Sequence, residues 1–316
     1  MNTPLSLIDT HCDTAYELYH RGQHLDVNDC HIDLKKASVY RHYAQYFAVW
    51  SNKRLDDEAC WQDFLKISDN LTAELTRLSD SAAQVRTGDE LDAAWAADKT
   101  AVILAVEDAR LTAGQIHRLD ELAARGVKYM TLTWGGETCV GGSHNTSLGL
   151  TDFGRELVAG CFERGIIPDV SHASVETVDD LIPIARRYGK PFIASHSNAY
   201  AVCPHSRNLR DRHFAVIREL GGIVGINLCP SFLTDTSIRP ATLEDIVAHI
   251  DYFMSLGGQD VVGLGCDLDG TDLPSDFSHV GDLCKIADAL ARHNYSEELI
   301  HKIFWKNYLD FAHKNL

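Results

Sequence analysis

The chain has no apolar run long enough to span a bilayer, no C-x-x-C pair, and little positive charge. Its 29 Lys and Arg stand against 45 Asp and Glu, a formal net charge of −16 over 316 residues. A helical membrane span needs about 20 consecutive apolar residues, so the first absence argues against one. The opening stretch, MNTPLSLIDTHCD, shows neither the basic segment nor the apolar core of a secretory leader. The shortage of Lys and Arg argues against nucleic acid and anionic membrane surfaces as partners, because both reward clustered positive charge. The nine cysteines are odd in number and scattered, which speaks against a disulfide framework or a thiolate zinc site and for reduced thiols in a cytoplasm. No internal repeat, low-complexity tract or linker interrupts the chain. With 45% hydrophobic residues it can build one large core, so a single domain over 1–316 is expected.

What is present is alternation. Eight short apolar segments, at 6–9, 45–50, 101–106, 127–132, 166–170, 191–194, 223–228 and 261–265, suit strands buried on both faces. Between them lie stretches with helical apolar spacing, among them AGQIHRLDELAARG, FGRELVAGCFERG, SVETVDDLIPIARRYG and TLEDIVAHIDYFMSLGG, many closing on Gly. This pattern predicts an α/β fold, a (β/α)8 TIM-type barrel, with an open doubly wound sheet as the competing arrangement. Residues at about 56–85 exceed one crossover and read as a helical insertion.

Five of the apolar runs end on residues that bind divalent metal: His11 and Asp13 after SLID, Glu107 after AVILAV, His172 after IIPDV, His196 after PFIA, and Asp267 after VVGLG. Imidazoles and carboxylates arriving from the ends of different parallel strands are what a metal-dependent hydrolase site requires. Taken singly these signals are weak. In H-x-D the two side chains point the same way from an extended chain, yet many such tripeptides are only turns. Glu107 also suits a helix N-cap, and a lone strand-end histidine is usually a satisfied polar residue. Together they point to one centre. Asp267 emerges as a non-ligand carboxylate able to shuttle protons, while Asp269 reads as fixing the turn into Gly270.

The motifs LIDTHCDT, AVEDA, KYMTLTW, DVSHAS, SHSNAYAVCPHSRN and VGLGCDLDG resemble, in order from Ile8 to about Asn307, the renal (membrane) dipeptidase family of binuclear zinc peptidases in the amidohydrolase superfamily. The resemblance implies a (β/α)8 barrel that cleaves dipeptides, some members accepting a D-residue at the C-terminal position. It implies two Zn2+ ions per chain, one bound by His11 and Asp13, the second by His172 and His196, with Glu107 bridging both. It places Arg207 on the substrate carboxylate and Asp267 near the substrate amine and scissile nitrogen. Two divalent ions roughly 3.5–4 Å apart would lower the pKa of a shared water toward neutrality, giving hydroxide as the nucleophile, and Asp267 would move the water's proton to the leaving amine.

One departure stands out: where mammalian members carry a histidine thought to contact the reacting carbonyl, this chain has Trp134. Its indole would wall the substrate pocket or simply pack on the barrel top. His144 is near enough to compensate but reads as a surface loop histidine. NLCPSFL falls where pocket-lining residues vary between members. The leader and lipid-anchor signals of the mammalian enzymes are missing from the chain, so a cytoplasmic, bacterial-type relative is expected. Three readings result: a zinc dipeptidase, a binuclear hydrolase of another small amide or N-acyl amino acid, and a non-enzymatic metal-binding scaffold. The apolar helices also admit a homodimer.

Overall fold

The computed structural model describes residues 5–316; the first four residues of the expected domain lie outside the described residues. Strands run over Leu7–Cys12 (β1), Tyr43–Trp50 (β2), Ala82–Gln84 (β3), Thr100–Glu107 (β4), Val127–Thr131 (β5), Ile167–Asp169 (β6), Val224–Ile226 (β7) and Val262–Leu264 (β8). All strand pairs are parallel, in the order β6-β5-β4-β2-β1-β8-β7, with β3 pairing β4 off this path. The result is an α/β fold around a curled parallel sheet with helices between successive strands. Among the described residues no helix is long and apolar enough to cross a membrane.

Two differences from the sequence reading have physical causes. The expected strand at 191–194 makes only single bridges, Ile193 to Asp169 of β6 and Ala194 to Val224 of β7. Pro191 has no N–H to offer the ladder, and the Ser195 N–H turns to Asp169 Oδ1 at 2.8 Å instead. The stretch at about 56–85 holds a helix over Asp57–Arg77, but its end supplies β3, a three-residue strand too short to show any period.

Alternation along the strands divides the apolar residues in two. Ala44, Tyr46 and Ala48 of β2 and Ala101, Ile103 and Ala105 of β4 share one cluster with Ile8, Tyr129, Ile167, Ile193 and Ile223. Their neighbours Phe47, Val49, Val102, Leu104 and Val106 join the larger cluster beneath the helices. The helices start where the sequence marks them: Thr151 and Ser174 cap Asp152–Glu163 and Val175–Tyr188, and Thr242 with Asp245 forms a capping box before Leu243–Ser255. In AGQIHRLDELAARG only Arg118–Arg125 is α-helical.

Glycine lets the inner face close up. A Cβ on Gly265 would lie 1.8 Å from the carbonyl oxygen of Ser195, and one on Gly225 would lie 2.0 Å from the same atom. Thr10 Oγ1 donates to that oxygen at 2.6 Å and accepts from Tyr308 OH at 2.8 Å, so the neighbours cannot easily retreat. Gly265→Ala should cost on the order of 3 kcal/mol, read as a lower urea midpoint at unchanged slope.

Candidate metal centre

Three histidines are each fixed in one tautomer by what stands behind them. Tyr129 OH donates to the Thr10 carbonyl at 2.9 Å, so its oxygen accepts from Nδ1–H of His11 at 2.8 Å. Ser195 Oγ donates to Asp169 Oδ2 at 2.6 Å and accepts from Nδ1–H of His196 at 2.7 Å. His172 meets a carbonyl, that of Trp134, at 3.1 Å from Nδ1. In all three rings the proton sits on Nδ1, and the Nε2 lone pair is free for the centre.

Those lone pairs converge on Glu107. Its Oε1 lies 2.9 Å from Nε2 of His172, 3.4 Å from that of His196 and 3.7 Å from that of His11. His11 Nε2 is also 3.8 Å from Asp13 Oδ2 and 3.7 Å from Asp267 Oδ1. Nε2 of His11, Nε2 of His196 and Oδ1 of Asp13 are buried without a hydrogen-bond partner among the described residues. Buried acceptors left this way are costly, and a set made only of imidazoles and carboxylates suits a divalent cation. His11 belongs to two such groupings, one with Glu107 and His196, the other with Asp13 and Asp267. The sequence-predicted ligands are therefore brought together, with Glu107 in the middle.

The electrostatics point the same way. Burial drives the Glu107 carboxyl well above its usual range, and Asp13 and Asp267 add repulsion; burial raises Asp13 too. Burial holds His172 and His196 well below the usual histidine value, hence neutral. It also opposes charge on His11, but Glu107, Asp13 and Asp267 outweigh it and push that pKa up to about 10. The carboxylates call for positive charge at one point, which a divalent ion would provide with all three rings neutral. His172 and Asp267 hold left-handed backbone, at φ 70° and 60°, a local cost of the kind found at functional sites.

Around this centre sit the remaining candidates. Asp267 Oδ2 accepts from Asn227 Nδ2 at 2.9 Å; the sequence reading places NLCPSFL, which Asn227 opens, in the variable pocket lining but gives Asn227 itself no role. Arg207 is 4% exposed. One of its donors, Nη2, reaches the His196 carbonyl at 3.5 Å, while Nε and Nη1 have no partner among the described residues. Its guanidinium lies 5.2 Å from the ring centre of Phe232. Trp134 stacks 5.8 Å from His172 and packs 5.2 Å from Trp50, so it stands at the site. A cavity of about 280 Å³ opens over the centre, with Asp13, Glu107, His172 and Asp267 on its floor side and Tyr16, Trp50, Trp134 and Phe232 among its walls. Asp269 accepts from Thr14 Oγ1 at 2.5 Å and from the His31 N–H at 2.6 Å, so its side chain ties two remote segments together, while the turn into Gly270 is closed by the backbone bond from the Gly270 N–H to the Asp267 carbonyl.

His144 differs from the surface reading. It is half-buried with its ring 6.2 Å from His172, its N–H donates to the His172 carbonyl, and Nδ1 lies 2.8 Å from Ser206 Oγ. Burial, then Arg207 and His205, press its pKa down to about 4.

The loop carrying Arg207 is tied down from below by His249, which is fully buried. Its Nδ1 accepts from the Ala199 N–H at 3.1 Å and its Nε2–H donates to the Leu233 carbonyl at 3.0 Å. Burial holds its pKa down to about 4. The unfolded chain binds a proton near pH 6.5 that the folded one refuses until about pH 4, so stability falls as pH drops through that window. Between pH 7 and 5, urea unfolding of the native protein should lose roughly 2 kcal/mol more than that of His249→Gln.

A profile of the family described as membrane dipeptidase (peptidase family M19) matches residues 1–314. A dipeptidase of Aspergillus oryzae is 35% identical over 179 residues, 53% of this chain and 40% of that protein. The chain spans less than two thirds of the curated relatives it matches, 62% and 40% of their lengths. Two solved structures superpose over 99% of the chain with a TM-score of 0.91. One is a metallopeptidase described as dipeptidase AC, 26% identical over 99% of its chain. The other is a Rhodobacter sphaeroides metallopeptidase holding a phosphinate mimic of the dipeptide L-Ala-D-Ala, 25% identical over 100% of its chain.

Proposed function

Since the chain belongs to the membrane dipeptidase family, peptidase family M19, we propose that it is a zinc-dependent dipeptidase whose substrates include L-Xaa-D-Xaa dipeptides. The observation that carries this reading is the pairing of the converging Nε2 lone pairs with a buried Arg207 that has two unpartnered donors. The first suits a metal-dependent hydrolase; the second suits the terminal carboxylate of a very short peptide.

The residues present fit two zinc ions: His11 and Asp13 would hold one, His172 and His196 the other, and Glu107 both. Bound there, zinc supplies Lewis acidity toward the scissile carbonyl and toward the attacking water. The chain's own groups do the rest. Arg207 fixes the C-terminal carboxylate and so sets where the scissile bond lies. Asp267, oriented by Asn227, accepts the proton from the attacking water and returns it to the leaving nitrogen. The aromatic walls limit bulk water around the reacting groups.

We also infer that the sheet is a closed (β/α)8 barrel, with residues 192–195 as the stave between β6 and β7. Support comes from the bridges at Ile193 and Ala194 and from the shared cluster of Ile8, Tyr46, Ile103, Tyr129, Ile167, Ile193 and Ile223. Nine free cysteines support the cytoplasmic reading.

The test is hydrolysis of paired L-Xaa-L-Xaa and L-Xaa-D-Xaa dipeptides by zinc-loaded and chelated protein. Cleavage is expected only with metal, and only when the dipeptide ends in a free carboxylate rather than an amide. A metal-loaded protein that leaves every dipeptide intact, yet hydrolyses N-acyl amino acids, would replace this reading with that of another small-amide hydrolase.

A further inference from the structure

The cavity is lined by Phe232, behind which the Arg207 guanidinium lies at 5.2 Å, and by the aromatic group Tyr16, Trp50 and Trp134, and the difference between the two assigns a substrate preference. Trp50 closes β2 in register with Glu107 on β4. It has the same parity as Tyr46 and Ala48, which pack on the inner face, so its indole stands at the height of the metal centre. Along the sheet, Trp50 is separated from the 192–195 segment that leads to Arg207 by β4, β5 and β6 one way and by β1, β8 and β7 the other. A short peptide whose carboxylate lies at Arg207, beside Phe232, therefore directs its N-terminal residue across the centre toward Trp50.

At that end the surface is aromatic. Tyr16 meets Trp50 edge-on at 5.5 Å, and the Trp134 ring, tilted by 57°, lies 5.2 Å from that of Trp50. The Tyr16 hydroxyl is already taken by Asn52 Nδ2 at 2.7 Å. The nearby charges are answered as well: Glu17 pairs with Arg21 at 2.5 Å, and Asp269 is held by Thr14 and His31. What is left on this wall to bind a side chain is ring surface; the cation beside Trp134, Lys53, lies 5.5 Å over that ring and is not among the residues that line the cavity.

Resting on the dipeptidase reading, we propose that Tyr16, Trp50 and Trp134 form the subsite for the substrate's N-terminal side chain and select uncharged aromatic or large aliphatic residues there. A Phe or Leu side chain gains contact with three rings that Gly cannot make, so native kcat/KM should favour L-Phe-L-Ala over Gly-L-Ala by at least about tenfold. The preference belongs to the wall, so Trp50→Ala and Trp134→Ala should each shrink that ratio by about fivefold or more. Circular dichroism melts and zinc content of each variant report whether fold and centre survive, and Trp50→Phe, which keeps a ring, should retain most of the preference.

The second readout needs no turnover. Zinc-loaded protein is titrated calorimetrically with two phosphinate dipeptide mimics that differ only in carrying a benzyl or a hydrogen at the N-terminal residue. Tighter binding of the benzyl mimic, lost in Trp50→Ala, supports the subsite even if no dipeptide is cleaved, which would sink only the dipeptidase reading. Equal affinity for both mimics, equal kcat/KM for both dipeptides, or a ratio untouched by both tryptophan variants would overturn the inference.

Discussion

Glu107→Gln should leave a protein that folds, binds less zinc and hydrolyses dipeptides on the order of 10³-fold more slowly. The substitution keeps side-chain volume and one oxygen acceptor while removing the charge around which three imidazoles are arranged. Among the described residues, Glu107 Oε1 is the one carboxylate oxygen that lies within 2.9–3.7 Å of Nε2 in His11, His172 and His196 alike, so no neighbouring carboxylate stands in for it. Asp13 and Asp267 approach His11 at 3.8 and 3.7 Å, which leaves the His172 and His196 half without an anion of its own. Mass spectrometry for zinc after dialysis, beside kcat/KM, separates the two effects. The thermal transition adds a third, because a ligand bound only to the folded state raises the midpoint in proportion to its occupancy. The zinc-induced rise should be large in the native protein and much smaller in Glu107→Gln. Native zinc content with native turnover would remove Glu107 from the centre.

The outline of that centre was open to sequence reasoning for a simple reason. A strand buried on both faces is a short apolar run, and a polar ligand at its C-terminal end breaks the run visibly, as Glu107 does after AVILAV and His196 after PFIA. Nothing comparable marks the groups that hold the ligands. Tyr129 lies 118 residues from His11, and Asp169 lies 26 from Ser195, so the contacts that choose each tautomer exist only after the strands have paired. Trp50 escaped notice as a wall for a related reason: its role depends on its register with Glu107, which no local pattern encodes. His144 was read by its loop composition, whereas the chain returns it to His172 through a backbone hydrogen bond. The strand expected at 191–194 shows the opposite error, an apolar run whose ladder is cut short by Pro191 on one side and by the Asp169 side chain on the other.

Asp267→Asn should separate proton transfer from metal binding, lowering kcat by about 10²- to 10⁴-fold while zinc content stays native. Asparagine suits this position for a backbone reason. Residue 267 holds φ at 60°, a conformation Asn and Asp tolerate and β-branched residues do not, so a loss of rate would not trace to misplaced chain. The amide oxygen can still accept from Asn227 Nδ2, keeping the side chain oriented as Asp267 Oδ2 is at 2.9 Å. What disappears is the ability to take a proton from water and deliver it to the leaving amine. Substrate binding through Arg207 should persist, so KM should change far less than kcat. Asn227→Leu, which leaves the carboxylate but removes its donor, should show a smaller loss in the same direction. The competing arrangement is visible in the same geometry, because Asp267 Oδ1 stands 3.7 Å from His11 Nε2 in a grouping with Asp13. If Asp267→Asn loses zinc and rate together, and added zinc restores both, Asp267 is a metal ligand and the proton must travel by another group.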